Sequence, residues 1–295
     1  MKIKLFILTA LFCVICHVHL RAQFIDNNQL DVVDFRIIYQ INQLASKNGK
    51  EVIITDTMAL DIGNNWSVYY DWNKIRRDSI EDTAFKNNQH REFSFTFDED
   101  ALHTRLEAKN EVIGVIDASI GESMQIFKHR KNGDIITFDE GPLQDFDIFT
   151  NFKLSEKILP LNWEITKDTL TVLNYLCRKA TTTFRGRTYN AWFTLDIPIG
   201  DGPWKLYGLP GLILKAEDAD CIFSFEAMGL QKIKNATISF PTDKKIVPCN
   251  SLKTLYQFRE NRFKDISIGF SEGNGGIIYY NTKNPVKFNL LEIEN

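Results

Sequence analysis

Histidine is scarce and unevenly placed: the chain has five in 295 residues, and only His90, His103 and His129 lie beyond residue 22. That shortage bears on the one hydrolase-like pattern present, Gly-Phe-Ser-Glu-Gly at 269–273. A nucleophile turn of that form needs a helix directly after the serine and, in its usual chain order, a histidine downstream. Ser271 has neither, because a glycine-rich stretch and the strand-like Ile277–Tyr280 follow it. No catalytic residue is assigned.

Metal-binding patterns are missing too. Beyond residue 22 the cysteines are Cys177, Cys221 and Cys249, too far apart for zinc-type spacing. Their odd number leaves at least one thiol free or paired between chains, and we read them as structural, small apolar side chains. Glu99, His103 and Glu107 are four apart, which would align them on a helix, but a solvated helix face explains that spacing and no His-Glu-x-x-His pattern accompanies it. No glycine-rich loop with a lysine offers a phosphate cradle. The sequence therefore calls for no metal and no cofactor.

Basic charge is not in excess, with 35 Lys and Arg against 38 Asp and Glu for a formal charge of −3. No basic patch for nucleic acid is expected. There is a single long apolar run, Leu5 to Cys16, preceded by Lys2 and Lys4 and followed by Ala22 before Gln23. This order is that of a secretory signal peptide and is too short to span a membrane. Phe12 and Ile15 stand before Cys13 and Cys16 where a lipid-anchor signal would carry small residues, so no lipid anchor is read. The expectation is an exported protein, periplasmic, outer-membrane associated or extracellular, with residues 1–22 removed and residues 23–295 forming one β-rich domain without a transmembrane span. Loss of Lys2, Lys4 and Arg21 moves its charge to about −6.

What the chain does contain is strand-type sequence. Asp31–Ile41, Glu51–Leu60 and Trp66–Trp72 are rich in β-branched and aromatic residues, and Phe93, Phe95 and Phe97 alternate strictly. Asn132-Gly133 and Arg185-Gly186-Arg187 mark hairpins. Residues 73–87 read as a surface helix or loop. A helix is expected from Asn250, with Leu252, Leu255, Tyr256 and Phe263 on one stripe. Many short strands without regular strand–helix alternation predict a mainly β fold, a large curved antiparallel sheet or partial barrel with a few peripheral helices. No repeat, low-complexity linker or internal domain boundary interrupts it.

The block Cys177–Asp218, "CRKATTTFRGRTYNAWFTLDIPIGDGPWKLYGLPGLILKAED", resembles the signature of the GLPGLI family, secreted proteins of Bacteroidetes. "MALDIG" at 58–63 with the following "SVYYD", and "KNPV" at 283–286, are similar to its terminal regions. The resemblance implies an envelope address and, for some members, association with outer-membrane transport proteins. It carries no established reaction and no catalytic residues.

The signature itself has two physical readings. In the first, Ala191, Phe193, Leu195 and Ile197 form one apolar face, Pro198 ends the strand, and Gly208, Pro210 and Gly211 build a rigid double corner. In the second, Trp192, Asp201, Trp204 and Tyr207 line a binding groove beside that corner, since Trp and Tyr join broad apolar surface to a polar tip. Asp-Ser/Thr followed by an apolar residue, at Thr57, Ser79, Thr83 and Thr169, resembles an O-glycosylation signal of exported Bacteroidetes proteins. The combined expectation is a non-enzymatic binding or accessory module whose partner is an outer-membrane protein or an unknown ligand; the alternative is an envelope hydrolase or other enzyme whose site the sequence does not display.

Overall fold

The computed structural model describes residues 28–47, 49–73, 93–98, 103–108, 111–117, 124–141, 150–158, 160–241, 245–262, 287–288 and 290–292. The strands are β1 (Gln29–Val32), β2 (Phe35–Lys47), β3 (Lys50–Ile62), β4 (Trp66–Asp71), β5 (Phe93–Asp98), β6 (His103–Ala108), β7 (Glu111–Asp117), β8 (Gln125–His129) and β9 (Asp134–Gly141). They continue as β10 (Thr150–Lys157), β11 (Glu164–Val172), β12 (Tyr175–Phe184), β13 (Arg187–Thr194), β14 (Leu212–Asp218), β15 (Phe223–Lys232), β16 (Thr237–Ser239), β17 (Lys245–Cys249) and β18 (Lys287–Phe288). Helix α1 spans Leu252–Arg262. Its N-terminus is capped by Ser251, whose Oγ accepts the Thr254 amide at 3.1 Å, one residue beyond the expected Asn250.

The fold is mainly β. Twelve strands form one sheet in the order β11-β12-β13-β14-β15-β2-β3-β4-β8-β9-β10-β17, with β18 beside β2. Every pair is antiparallel except β10 with β17. β1 and β16 form a separate pair, and β5, β6 and β7 a separate three-stranded sheet. His103 and Glu107 therefore lie in strand β6 rather than on a helix, which removes the helical spacing that made them candidate ligands. Ser79, Thr83, Glu99, Ser271, Phe263, residues 74–87 and the Asn284-Pro285 segment lie outside the described residues.

The short β10–β11 connection forces the sheet to curl. β11 heads the strand order and β10 stands ten positions away, about 48 Å in a flat sheet at one strand spacing per step. Yet only residues 158–163 join Lys157 to Glu164, a reach of about 25 Å when fully extended. A flat sheet is excluded. Arg185, at the β12–β13 turn, meets Glu156 of β10 at 2.6 Å, so the two ends face each other as in a partial barrel.

The main core fills the inside of this curl. It includes Ile37, Tyr39, Met58, Leu60, Tyr69, Ile126, Phe152, Leu154, Phe193, Leu214 and Phe225, all buried. A smaller cluster, Val33, Val68, Phe127, Phe138 and Ile238, is packed separately. Of the two hairpins, β12–β13 turns tightly through Arg185 (φ 50°) and Gly186 (φ 80°) between paired Phe184 and Arg187. In β8–β9 the last pair is His129 with Asp134, and of Asn132 and Gly133 only Gly133 takes positive φ, so this loop is longer than a two-residue turn.

Candidate functional site

Strand β13 ends at Thr194, before Pro198, where the chain turns; its register against β14 shifts between Trp192 and Phe193. Leu195 is consequently 51% exposed and does not continue the apolar face of Ala191 and Phe193. Residues 195–211 then fold inward onto the curled sheet. The segment is braced by its own backbone bonds: the amides of Ile199, Gly208, Leu212 and Ile213 donate to the carbonyls of Ile197, Gly200, Ile197 and Asp201. Between 201 and 211 only Gly208 and Pro210 are exposed.

Two charged side chains pin this plug to the sheet. Lys128 of β8 and Glu156 of β10 both lie opposite Ile135 of β9, so they stand on one row of the sheet. Asp201 Oδ1 meets Lys128 Nζ at 2.5 Å, and the lysine also donates to the Gly202 carbonyl at 2.6 Å. Four residues on, Lys205 Nζ meets Glu156 Oε2 and Glu292 Oε1, each at 2.6 Å. Arg185 completes a quartet with Glu156 at 2.6 Å and Glu292 at 3.5 Å. Burial pushes the Glu292 carboxyl above its usual range, and Lys205 acts against that shift. Burial likewise pushes Lys128 below the usual lysine value, with Asp201 opposing. The last described residues are held by the same region: Arg187 donates to the Leu290 carbonyl at 2.8 and 3.1 Å, and Tyr189 to that of Leu291 at 3.0 Å.

The four aromatic and acidic residues expected to line a groove do not share one. Trp204 and Asp201 are fully buried and Tyr207 is 2% exposed, because the corner carries them into the core. Trp204 packs on Phe184 and Tyr189, with ring centroids 5.6 and 5.7 Å away, and Tyr207 donates its hydroxyl to the Ile158 carbonyl. Trp192 is half-buried in β13, before the corner, with Lys179 and Lys215 nitrogens 5.7 and 6.0 Å from its ring. Thr57 is half-buried in β3 and Thr169 exposed in β11.

The glycines sit where side chains would collide. A Cβ on Gly211 would lie 2.0 Å from the Thr194 carbonyl oxygen and 2.8 Å from its carbon, both fixed backbone. Gly208 has φ +94°, and a Cβ there would lie 2.9 Å from Pro160 Cβ. Gly211→Ala is expected to lose stability at the top of a range of about 1–3 kcal/mol, and Gly208→Ala within it. Thermal melting of both variants checks this, and melting unchanged from the parent in both would contradict the close fit.

The exposed tip of the corner opens onto a surface depression of about 460 Å³, lined by Leu161, Asn162, Trp163, Glu164, Ile165, Gly208, Leu209 and Pro210. Trp163 is pinned by its Nε1, which donates to the Tyr207 carbonyl at 2.9 Å. The Asn162 carbonyl accepts from Thr182 Oγ1 at 2.7 Å, so the strip is fixed at two points while the Asn162 and Glu164 side chains stay exposed. The stretch Leu161–Ile165 bears no turn or spacing signal that sequence reading uses, and it was missed. Among the described residues, no His, Cys, Asp and Glu group is placed to hold a metal ion, and no helix is long and apolar enough to cross a membrane. Cys177, Cys221 and Cys249 are all free, and burial pushes the Cys177 thiol up to about 11.

Comparison with known proteins corrects the family resemblance. No curated protein matches the chain. Two solved structures of PNGF-II, in P21 and C2 space groups, align with TM-scores of 0.47 and 0.44 at 17% identity, covering 82% and 81% of this chain. The alignments cover 37% of each of those chains, so this chain spans well under half their length. The family model that matches is described as N-glycanase peptide, N-terminal domain, over residues 147–256. That range contains the whole Cys177–Asp218 block, so the resemblance to the GLPGLI family does not stand. Its six-residue motif reflects a backbone shape, an inward corner with no room at Gly211, and the inferred link to outer-membrane transport proteins goes with it. Over residues 147–256, less than half of its length, the chain is similar to the N-terminal domain of an N-glycanase.

Proposed function

We propose that the chain is an exported cell-envelope protein acting as a non-enzymatic binding or accessory module, with the depression beside Gly208–Pro210 as its contact site. One observation carries the reading. The charged groups gathered at the corner are consumed in holding it: Asp201 faces Lys128, and Lys205 faces Glu156 and Glu292, all at contact distance and away from solvent. What the corner leaves open is its Gly208–Pro210 tip against the pinned Trp163 strip. Likeness to the N-terminal domain of an N-glycanase supports a role beside glycan processing. Export is supported by the basic, apolar and small residues in order over 1–22.

Incubated with a denatured N-glycosylated protein, the purified chain is expected to leave the substrate's mass unchanged, as mass spectrometry would read directly. Loss of glycan mass from the substrate would overturn the non-enzymatic reading. A component of the native envelope retained on the immobilised chain, and released by changes at Asn162 and Glu164, is the expected positive result; retention that ignores those changes would move the contact site elsewhere.

A further inference from the structure

We infer that residues 290–292 occupy a peptide-recognition slot in the curled sheet, and that the slot takes the same segment from a second copy of the chain when its own is released. This site is separate from the depression at Gly208–Pro210.

Strand addition sets the approach. β15 pairs with β2 only as far as Gln43, whereas β3 follows β2 to Lys47. β18 takes part of that overhang, with Phe288 opposite Ala45 and Lys287 opposite Ser46. Pairing of this kind uses backbone groups and accepts any extended segment. Next, the Leu290 carbonyl accepts from Nε and Nη2 of Arg187, and the Leu291 carbonyl from the Tyr189 hydroxyl. Arg187 and Tyr189 are two apart in β13 and so share a face. These contacts read an extended backbone. Sequence is read at two positions: Leu291, 4% exposed, enters the main core, and the Glu292 carboxylate meets Lys205 at 2.6 Å and Arg185 at 3.5 Å. The slot therefore asks for an apolar residue followed by an acid.

The charges of the slot do not depend on the segment. Arg187 holds Asp218 at 3.2 Å, and Asp218 in turn accepts the Phe223 amide at 2.6 Å. Lys205 and Arg185 each hold Glu156 at 2.6 Å. Release of the segment thus leaves every one of these cations with a carboxylate, so opening costs less than breaking an isolated buried pair, which strands a charge. Glu292 regains water. Burial holds its carboxyl above the usual range, a penalty that release removes. Because the donors are already fixed by their own partners, little ordering is left for a returning segment to impose on them.

The test uses the full chain and a fluorescent peptide of residues 286–295, VKFNLLEIEN, followed by polarisation. In the parent the tethered segment competes at an effective concentration of about 1 mM, so the peptide is expected to bind about 10-fold more weakly than to a chain whose own segment is disabled. Glu292→Lys disables it by setting a third cation beside Lys205 and Arg185. To that chain the peptide should bind with Kd on the order of 0.1 mM and raise its melting temperature. The same peptide carrying Glu292→Lys should bind at least about 10-fold more weakly, the loss of a charged contact. Glu292→Gln keeps the shape, drops the charge and carries the same comparison if the Glu292→Lys chain does not fold. Equal affinity for parent and variant would place the peptide outside the slot and overturn the inference. So would a folded Glu292→Gln chain that ignores the peptide or binds both peptides alike.

Discussion

Asp201→Ala is expected to lower the free energy of unfolding by about 3–5 kcal/mol, the cost of leaving one member of a buried ion pair without its partner. Lys128 would keep only the Gly202 carbonyl, since it is 1% exposed and Asp201 supplies its carboxylate contact at 2.5 Å. The variant should also acquire a pH dependence whose sign is fixed. Burial already holds Lys128 below the usual lysine value, and removing Asp201 deepens that depression. Between the folded and unfolded values the unfolded chain then binds more protons, so stability rises with pH above neutrality, more steeply than in the parent. Denaturant unfolding at two pH values reads both effects. Lys128→Met combined with Asp201→Leu should recover most of the loss, because two apolar groups of similar volume leave no charge stranded. An Asp201→Ala protein as stable as the parent at neutral pH would show that the plug is not held by this pin.

Trp204→Ala is expected to cost about 3–5 kcal/mol for the cavity left by a fully buried ring. Backbone geometry makes a finer prediction. Trp204 has φ 52°, a left-handed conformation that alanine would still have to adopt. Trp204→Gly loses the same ring but relieves about 1–2 kcal/mol of that conformational cost, so it should melt above Trp204→Ala. Ordinarily glycine is the worse of the two. Melting curves of the pair decide the point.

The strands and the β12–β13 turn were legible because their signals are local: alternation along the chain, and a dipeptide whose torsions suit a twisted hairpin. The interior position of the corner was not. "GDGPWKLYG" reads as a polar, solvent-facing loop, yet Asp201 and Lys205 are its anchors. Their partners Lys128, Glu156 and Glu292 lie 49 to 87 residues away in the chain. Ion pairing over such distances leaves no period to detect. Trp204 and Tyr207 suit a groove in the sequence for the same reason, since an aromatic residue between glycines gives no sign of which way its backbone turns. The apolar face expected through Leu195 and Ile197 stops at Phe193, because β13 ends at Thr194 and the chain turns there. At the depression, Trp163 gained its role from a hydrogen bond to Tyr207, a contact that exists only once the ends of the sheet have met.

The junction of β15 with β2 carries a kinetic consequence. Each pairing from β11 through β15 joins chain neighbours, as do those from β2 through β4, whereas β15 meets β2 by pairing residues 223–232 with 35–43. Closing a loop on the order of 180 residues costs about 4–5 kcal/mol in chain entropy before any contact repays it. This seam therefore forms late, after both local ladders exist. Until then each ladder presents an open edge, one with Ile37, Tyr39 and Ile41 and the other with Phe223 and Phe225. Two copies caught at that stage hold complementary edges, so refolding at high concentration diverts chains into exchanged dimers and aggregates, and yield depends on dilution.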